Sequence, residues 1–209
     1  MRAVDVLETP RLLIRRPTLA DAGEMFRRYA SDAEATRLLS FPCHTDVCQT
    51  EAFVSFSDAE WGRWPAGPYV ILSREDGRVL GGTGFSFETA SRASTGYVLA
   101  RDAWGNGLAT EALGALVAIA PALGVQRLWA ICHPSNRASA NVLRKCGFVL
   151  EGTLRCYAEY PNLAPGVALD SLSFARIFSE AGTSASGSVG AAHECQRPVQ
   201  LQGLRKNLE

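Results

Sequence analysis

The sequence predicts an α+β fold: a mixed, mostly antiparallel sheet with helices on both faces. Three observations carry this. Strand-type runs recur at 11–15, 69–72, 79–87, 95–100, 128–131, 148–157 and 169–178. The segment 108–123 is apolar almost all round, as a deeply buried helix would be. A second helix, at 136–146, separates two strand signals, so helices and strands share one core.

Each element has its own warrant. Arg11-Leu12-Leu13-Ile14-Arg15 lies between Pro10 and Pro17 and reads as a first strand. Thr18 reads as a helix N-cap with Asp21 three residues on, and Met25, Phe26 and Tyr29 supply an apolar stripe. Residues 31–64 are expected to continue as short helices, with Thr45 as a second cap. Phe41, Phe53, Phe56, Trp61 and Trp64 there read as a helical core layer or as the lining of a substrate pocket. Residues 69–72 and 79–87 flank Glu75-Asp76-Gly77 and form a hairpin. Gly81-Gly82-Thr83-Gly84 lies inside its second strand, where glycine marks a bulge or a close backbone approach. Pro121 is expected to end or kink the last turn of the buried helix, and Gly124 suits its stop.

Residues 1–180 read as one domain. Beyond Glu180 the composition changes to Gly, Ala, Ser and Thr, so 181–209 is expected to be a disordered tail.

The chain has 209 residues, with Lys plus Arg and Asp plus Glu at 21 each. A zero net charge argues against a polyanionic partner, so no nucleic-acid binding is expected. Hydrophobic content of 47% and charged content of 20% suit a globular domain. Residues 1–9 lack an apolar signal core, and the apolar run at 112–125 is too short to span a bilayer. Six cysteines form no CxxC pair. Cys43, His44 and Cys48 match no common zinc spacing, so no metal is expected. Reduced thiols fit a cytoplasmic protein without membrane attachment.

The motif with most chemical content is the strand–loop–helix unit containing Trp104-Gly105-Asn106-Gly107-Leu108-Ala109-Thr110. Two glycines let backbone approach a ligand closely, and the amides of a nascent helix favour an anion. It is not a Walker loop, having no G-K-[ST], nor a dinucleotide fingerprint, lacking the third glycine.

With its flanks, Gly96-Tyr97-Val98-Leu99 and Glu111-Ala112, this segment resembles the main cofactor motif of the GNAT superfamily of acyl-CoA N-acetyltransferases. That motif has Arg or Gln, two residues, Gly, one residue, then Gly or Ala. Trp104 stands at the Arg or Gln position, a change typical of the branch that acetylates ribosomal-protein N-termini. Asn136-Arg137-Ala138-Ser139, continuing to Gly147-Phe148, is similar to that branch's second helix. Glu151-Gly152, the segment 9–15 and the strand near 170–177 match too. The resemblance covers about residues 8–178; Pro121 and the tail depart from it.

The resemblance implies the GNAT fold and acetyl-CoA as cosubstrate. Its diphosphate would lie on Gly105, Asn106, Gly107, Leu108, Ala109 and Thr110. Its pantetheine arm would lie between Val98-Leu99 and the strand 128–131. Backbone amides near Val98 or Leu99 would polarise the acetyl carbonyl. Asn136 would bond the pantetheine arm. Ser139, three residues on and on the same helix face, would stabilise the leaving thiolate, or else act as a first-turn cap. For the general base, Glu159 is the first candidate and Glu88 the second; each is alternatively a solvated surface carboxylate. Tyr157 and Tyr160 are candidates for ordering water or binding substrate. Arg137, Arg144 or Lys145 is a candidate partner for the ribose phosphate. The cysteines have no matched histidine, so direct attack by the amine is expected rather than a covalent intermediate. The acceptor would be a protein N-terminal amine, or a small amine of aminoglycoside or polyamine type. A non-catalytic coenzyme A-binding regulator is the competing class. The assembly expected is a monomer or homodimer.

Overall fold

A computed structural model describes residues 4–178. Its eight-stranded sheet has the order β1-β2-β3-β4-β5-β6-β8-β7. The strands are β1 (Val6–Glu8), β2 (Leu12–Arg15), β3 (Pro68–Ser73), β4 (Val79–Thr89), β5 (Arg92–Leu99), β6 (Arg127–Cys132), β7 (Val149–Glu159) and β8 (Ala168–Ile177). Every neighbouring pair is antiparallel except β5 and β6. The expected mixed sheet is therefore present, and the expected tail at 181–209 lies outside the described residues.

The sheet divides the core. Along β3, Tyr69 and Ile71 alternate with Val70 and Leu72, as a strand with two covered faces requires. Ile71 joins Ile14, Leu80 and Leu128 against Leu113 and Leu116 of α4 (Leu108–Ile119) and Leu143 of α5 (Arg137–Lys145). Val70, Leu72 and Val79 pack with Ala22 and Met25 of α1 (Leu19–Met25), with Tyr29, and with Val54 of α3 (Val47–Arg63).

Helix ends follow local chemistry. Asp21 accepts hydrogen bonds from the Thr18 backbone amide at 2.7 Å and hydroxyl at 2.8 Å, so Thr18 begins α1 as expected. The chain continues through a π-helical turn at Phe26–Ala30 and the short α2 (Ala33–Thr36), capped by Asp32. Residues 31–64 are not all short helices, because Val47–Arg63 is one 17-residue helix. Its cap is Asp46, whose carboxylate accepts the Cys48 amide at 2.8 Å, rather than Thr45. Gln49 occupies Thr45 instead, accepting its amide at 2.7 Å.

The aromatic layer of this region is also incomplete. Trp61 is buried and Trp64 stacks on Phe87 at 5.3 Å, but Phe53 and Phe56 are 37% and 53% exposed. Pro121 ends α4 as expected: a 3-10 turn at Pro121–Leu123 follows, and Gly124 closes it at φ 82°.

Candidate active site

The parallel pairing of β5 with β6 is short. Arg92, Ala93 and Ser94 pair with Arg127, Leu128 and Trp129, and the register stops there. Beyond it β5 stays on β4 through Gly82–Val98 and Gly81–Leu99, while β6 stays on β8 through Cys132–Leu172. The two strands thus separate after Ser94. The gap lies where Leu99 and the strand 128–131 bound it.

The β4–β5 ladder decides which backbone groups face this gap. The Ala100 amide donates to Leu80 O at 2.9 Å. An antiparallel pair alternates, so the polar groups of Val98 point to β4, while those of Tyr97 and Leu99 point away from it. The Trp104 indole confirms the direction, donating to Leu99 O at 2.8 Å. Of Val98 and Leu99, it is therefore Leu99 whose amide faces the gap. Val98, expected as an alternative donor, directs its own amide into the sheet.

The loop after β5 leads to the start of α4. Gly105 and Gly107 have φ of 75° and 76°, values at which a Cβ would be strained. A Cβ built on Gly105 would meet nothing within 4 Å, so that backbone faces open space. Gly107 is the N-cap of α4, and the Glu111 amide donates to Gly107 O at 3.0 Å. The amides of Leu108, Ala109 and Thr110 precede that first helical bond and are the orphan donors of the helix start. The donor set and open backbone fit a diphosphate. Thr110 O also accepts the Cys146 thiol at 3.5 Å, tying α4 to the end of α5.

At α5, Asn136 is the cap: its Oδ1 accepts the Ser139 amide at 3.0 Å. That removes the capping explanation for the Ser139 hydroxyl. Asn136 thus commits one lone pair of its carbonyl oxygen to the helix end, while its Nδ2 keeps its donor capacity. The Ser139 hydroxyl instead lies 2.9 Å from the Tyr97 hydroxyl, which is also 2.9 Å from Ser139 O. Sheet and helix are thereby joined across the gap. Burial pushes the Tyr97 phenol well above its ordinary value, so it stays protonated. Burial likewise raises the Cys132 thiol, against the opposing effect of Ser139 beside it.

The two base candidates separate. Glu88 lies at the closed end of the β4–β5 hairpin, where Phe87 pairs with Ala93, away from Leu99. Trp129 Nε1 donates to it at 2.9 Å and Arg92 pairs with it at 2.6 Å. The structure does not bring Glu88 together with Leu99 and Ser139; it fastens the hairpin to β6. Glu159 is exposed at the end of β7, beside buried Tyr160. Tyr160 is 2.9 Å from Ser171 Oγ and meets the His133 ring edge-on at 5.0 Å. His133 follows directly on β6. Tyr160 is thus a buried anchor, and Tyr157 is 46% exposed. Arg137, Arg144 and Lys145 are all exposed, and Arg144 lies over the Phe174 ring at 5.5 Å.

Sequence reasoning gave no role to Tyr97, Cys132 or the Trp104 indole. Tyr97 lies in the quoted cofactor motif, but only the strand separation reveals its contact with α5. His44, in the expected non-metal cluster, has Nδ1 2.8 Å from Thr50 Oγ1.

Comparison with known proteins agrees with this architecture. Residues 11–149 match the family described as acetyltransferase (GNAT) domain. The chain is 31% identical over 159 residues to a Bacillus licheniformis protein named "Uncharacterized N-acetyltransferase p20", covering 75% of this chain and 89% of that one. The fold matches RimL, a ribosomal L7/L12 alpha-N-protein acetyltransferase solved with coenzyme A, at a TM-score of 0.72 and 22% identity, over 82% of this chain and 97% of that one. It also matches the microcin C7 self-immunity acetyltransferase MccE, solved with acetyl-CoA and AMP, at 0.73 and 19% identity, over 81% and 94%. With a family match over most of its length, the chain belongs to the GNAT family of N-acetyltransferases.

Proposed function

We propose that the protein moves an acetyl group from acetyl-CoA to a primary amine by direct attack, with a protein N-terminal amine as the favoured acceptor. The observation that carries this is the gap between β5 and β6, open at the end where α4 presents its free amides. Its wall holds the Ser139 hydroxyl in contact with Tyr97.

Acetyl-CoA would supply an activated acyl thioester. The amides of Leu108, Ala109 and Thr110 hold the diphosphate, and Gly105, Asn106 and Gly107 shape the loop that receives it. The Leu99 amide hydrogen-bonds the acyl carbonyl oxygen. Ser139 Oγ donates to the sulfur as it leaves, and Tyr97 holds that hydroxyl in place. Glu159 takes the proton from the incoming amine, directly or through water.

The N-terminal preference rests on the branch to which the motifs are similar and on fold neighbours such as RimL. The MccE likeness keeps small amines in the test. The protein is incubated with acetyl-CoA and a panel of Ser- and Ala-initiated peptides, polyamines and aminoglycosides, and free thiol is followed. The expected result is thiol release with peptides above the small amines. Release only with small amines overturns the acceptor assignment. Stabilisation by coenzyme A with no release for any amine overturns catalysis in favour of a binding module.

A further inference from the structure

The loop that forms the cradle does not hold its shape alone. Glu111, in the first turn of α4, receives the segment that precedes β2. Its Oε1 accepts the Thr9 hydroxyl at 2.6 Å and the Arg11 amide at 3.0 Å. Its Oε2 accepts Arg11 Nε at 2.7 Å and Nη2 at 2.6 Å. The remaining guanidinium nitrogen, Nη1, donates to Asn106 O at 2.9 Å. One arginine therefore grips both the helix and the loop. The segment is itself held to the sheet: the Leu12 amide donates to Thr9 Oγ1 at 2.9 Å, and Arg74 Nη1 donates to Thr9 O at 2.7 Å.

Planarity gives this contact a consequence at the ligand side. A trans peptide places its C=O and N–H on opposite sides. Arg11 holds the Asn106 carbonyl, which turns the Gly107 amide the other way. Gly107 is the cap of α4, so this orientation sets the amide immediately before the Leu108, Ala109 and Thr110 donors. Arg11 also runs beside that residue, since a Cβ on Gly107 would lie 3.8 Å from Nη2.

We infer that Arg11 and Glu111 are positioning residues of the cofactor site, strapping the 9–11 segment across the cradle so that its amides face the diphosphate. The inference rests on the coenzyme A reading given above and adds to it a strap from the other end of the domain. Simple electrostatics predicts the opposite behaviour for one of the two residues. Glu111 is an anion in the first turn of the helix that would bind an anion, so neutralising it should tighten binding. The strap requires the reverse, because Glu111→Gln releases Arg11 from its orientation.

The experiment is calorimetric titration of coenzyme A into wild type, Arg11→Lys and Glu111→Gln, with melting of each unliganded protein. Lysine keeps the charge but cannot grip loop and helix at once. Both variants are expected to lose about tenfold in affinity, on the order of one charge-assisted hydrogen bond. The donor comparison is the second readout. With the best amine of the panel, kcat/KM should fall for acetyl-CoA and hold at the wild-type value for S-acetylpantetheine, which has no diphosphate. Affinity in Glu111→Gln equal to or tighter than wild type overturns the strap, as does an equal loss with both donors. Should Glu111→Gln fail to fold, Arg11→Lys, altered at a half-exposed side chain, decides alone. Wild type that binds no coenzyme A overturns the cofactor reading instead.

Discussion

Ser139 shows how a side chain acquires a role from its surroundings. Its position three residues after Asn136 was readable from sequence, but whether it capped the helix was not. The structure answers that through Asn136, which caps the helix and leaves the serine hydroxyl facing Tyr97. A phenol has one proton; donated to Ser139 O, it leaves the Tyr97 oxygen to accept from Ser139 Oγ. In the proposed transfer, a thiolate formed nearby would give the serine proton a stronger acceptor to turn to. Ser139→Ala is therefore expected to lower kcat by about 10²-fold, the lower end for a lost proton donor. Coenzyme A affinity should stay within about twofold, since one neutral hydrogen bond is the most that is lost. Equal kcat for variant and wild type would remove Ser139 from the chemistry. Tyr97→Phe keeps the ring and removes the grip, so the expected loss is smaller, about 2- to 12-fold in kcat, equivalent to about 0.5–1.5 kcal/mol. A Tyr97→Phe rate below that of Ser139→Ala would refute this order. The partnership was not legible beforehand because 42 residues separate the two.

At the scale of elements, two glycines shape the backbone around the candidate site, one in the loop and one in the sheet. Gly107 must adopt φ 76° for α4 to begin where the loop ends. A β-branched residue is strained there by about 1–3 kcal/mol. Gly107→Val is thus expected to abolish coenzyme A stabilisation while unliganded melting falls by only several degrees. Unchanged coenzyme A affinity in this variant would sink the cradle. Gly81 acts on the strand rather than the loop. A Cβ there would collide with Val98 O and lie 3.0 Å from Leu99 Cα, so β4 and β5 approach closely at this glycine. Gly81→Ala is expected to displace Leu99, costing about 1–3 kcal/mol of stability and most of the activity. Wild-type melting and turnover together would show that the strands tolerate the methyl. Both glycines were visible in the sequence as close-approach signals, and so were most of the strands.

What was not visible has a physical reason in each case. β1 is three residues, Val6–Glu8, too short for a pattern. On α3 the buried stripe is Thr50, Val54, Ser57 and Trp61, and two small polar residues occupy it while Phe53 and Phe56 fall outside. Residue type alone therefore misassigned the face. Thr45 and Asp46 are both competent caps, and the Gln49 side chain decided between them. The distance of Glu88 from Leu99 was hidden by topology, because a residue near the end of a strand in sequence lies at the closed end of the hairpin.

Considered as a whole, the molecule uses β2 to bind its two faces together, and this makes it sensitive to acid. Arg11 leads from the edge of β2 to Glu111 on α4, and Arg15 leads from its other end to Asp21 on α1, at 2.7 Å. Burial opposes ionisation of Asp21, but hydrogen bonds from Arg15 and Thr18 outweigh it and hold the carboxyl below its ordinary 3.8. Glu111 behaves in the same way: burial is overcome by Thr9 and Arg11, leaving it below 4.5. His44 is different, since burial alone lowers it from 6.5. The sign is common to all three. Each folded value lies below the unfolded one, so the unfolded chain binds more protons as pH falls, and stability decreases. The windows differ. His44 acts from 6.5 downward and the carboxylates from 4.5 and 3.8 downward. Melting temperature is therefore expected to be level between about pH 7 and pH 8, to fall gently to about pH 5, and then to fall steeply. His44→Gln should remove the gentle part while leaving the steep one. Asp21→Asn should lower the plateau, because the Arg15 pair is lost at neutral pH, and make the acid limb shallower. Melting followed by circular dichroism from pH 8 to pH 3 separates these. An acid limb in Asp21→Asn parallel to that of wild type would mean that the carboxylate on α1 does not couple folding to protons. A gentle limb that survives in His44→Gln would say the same of the histidine.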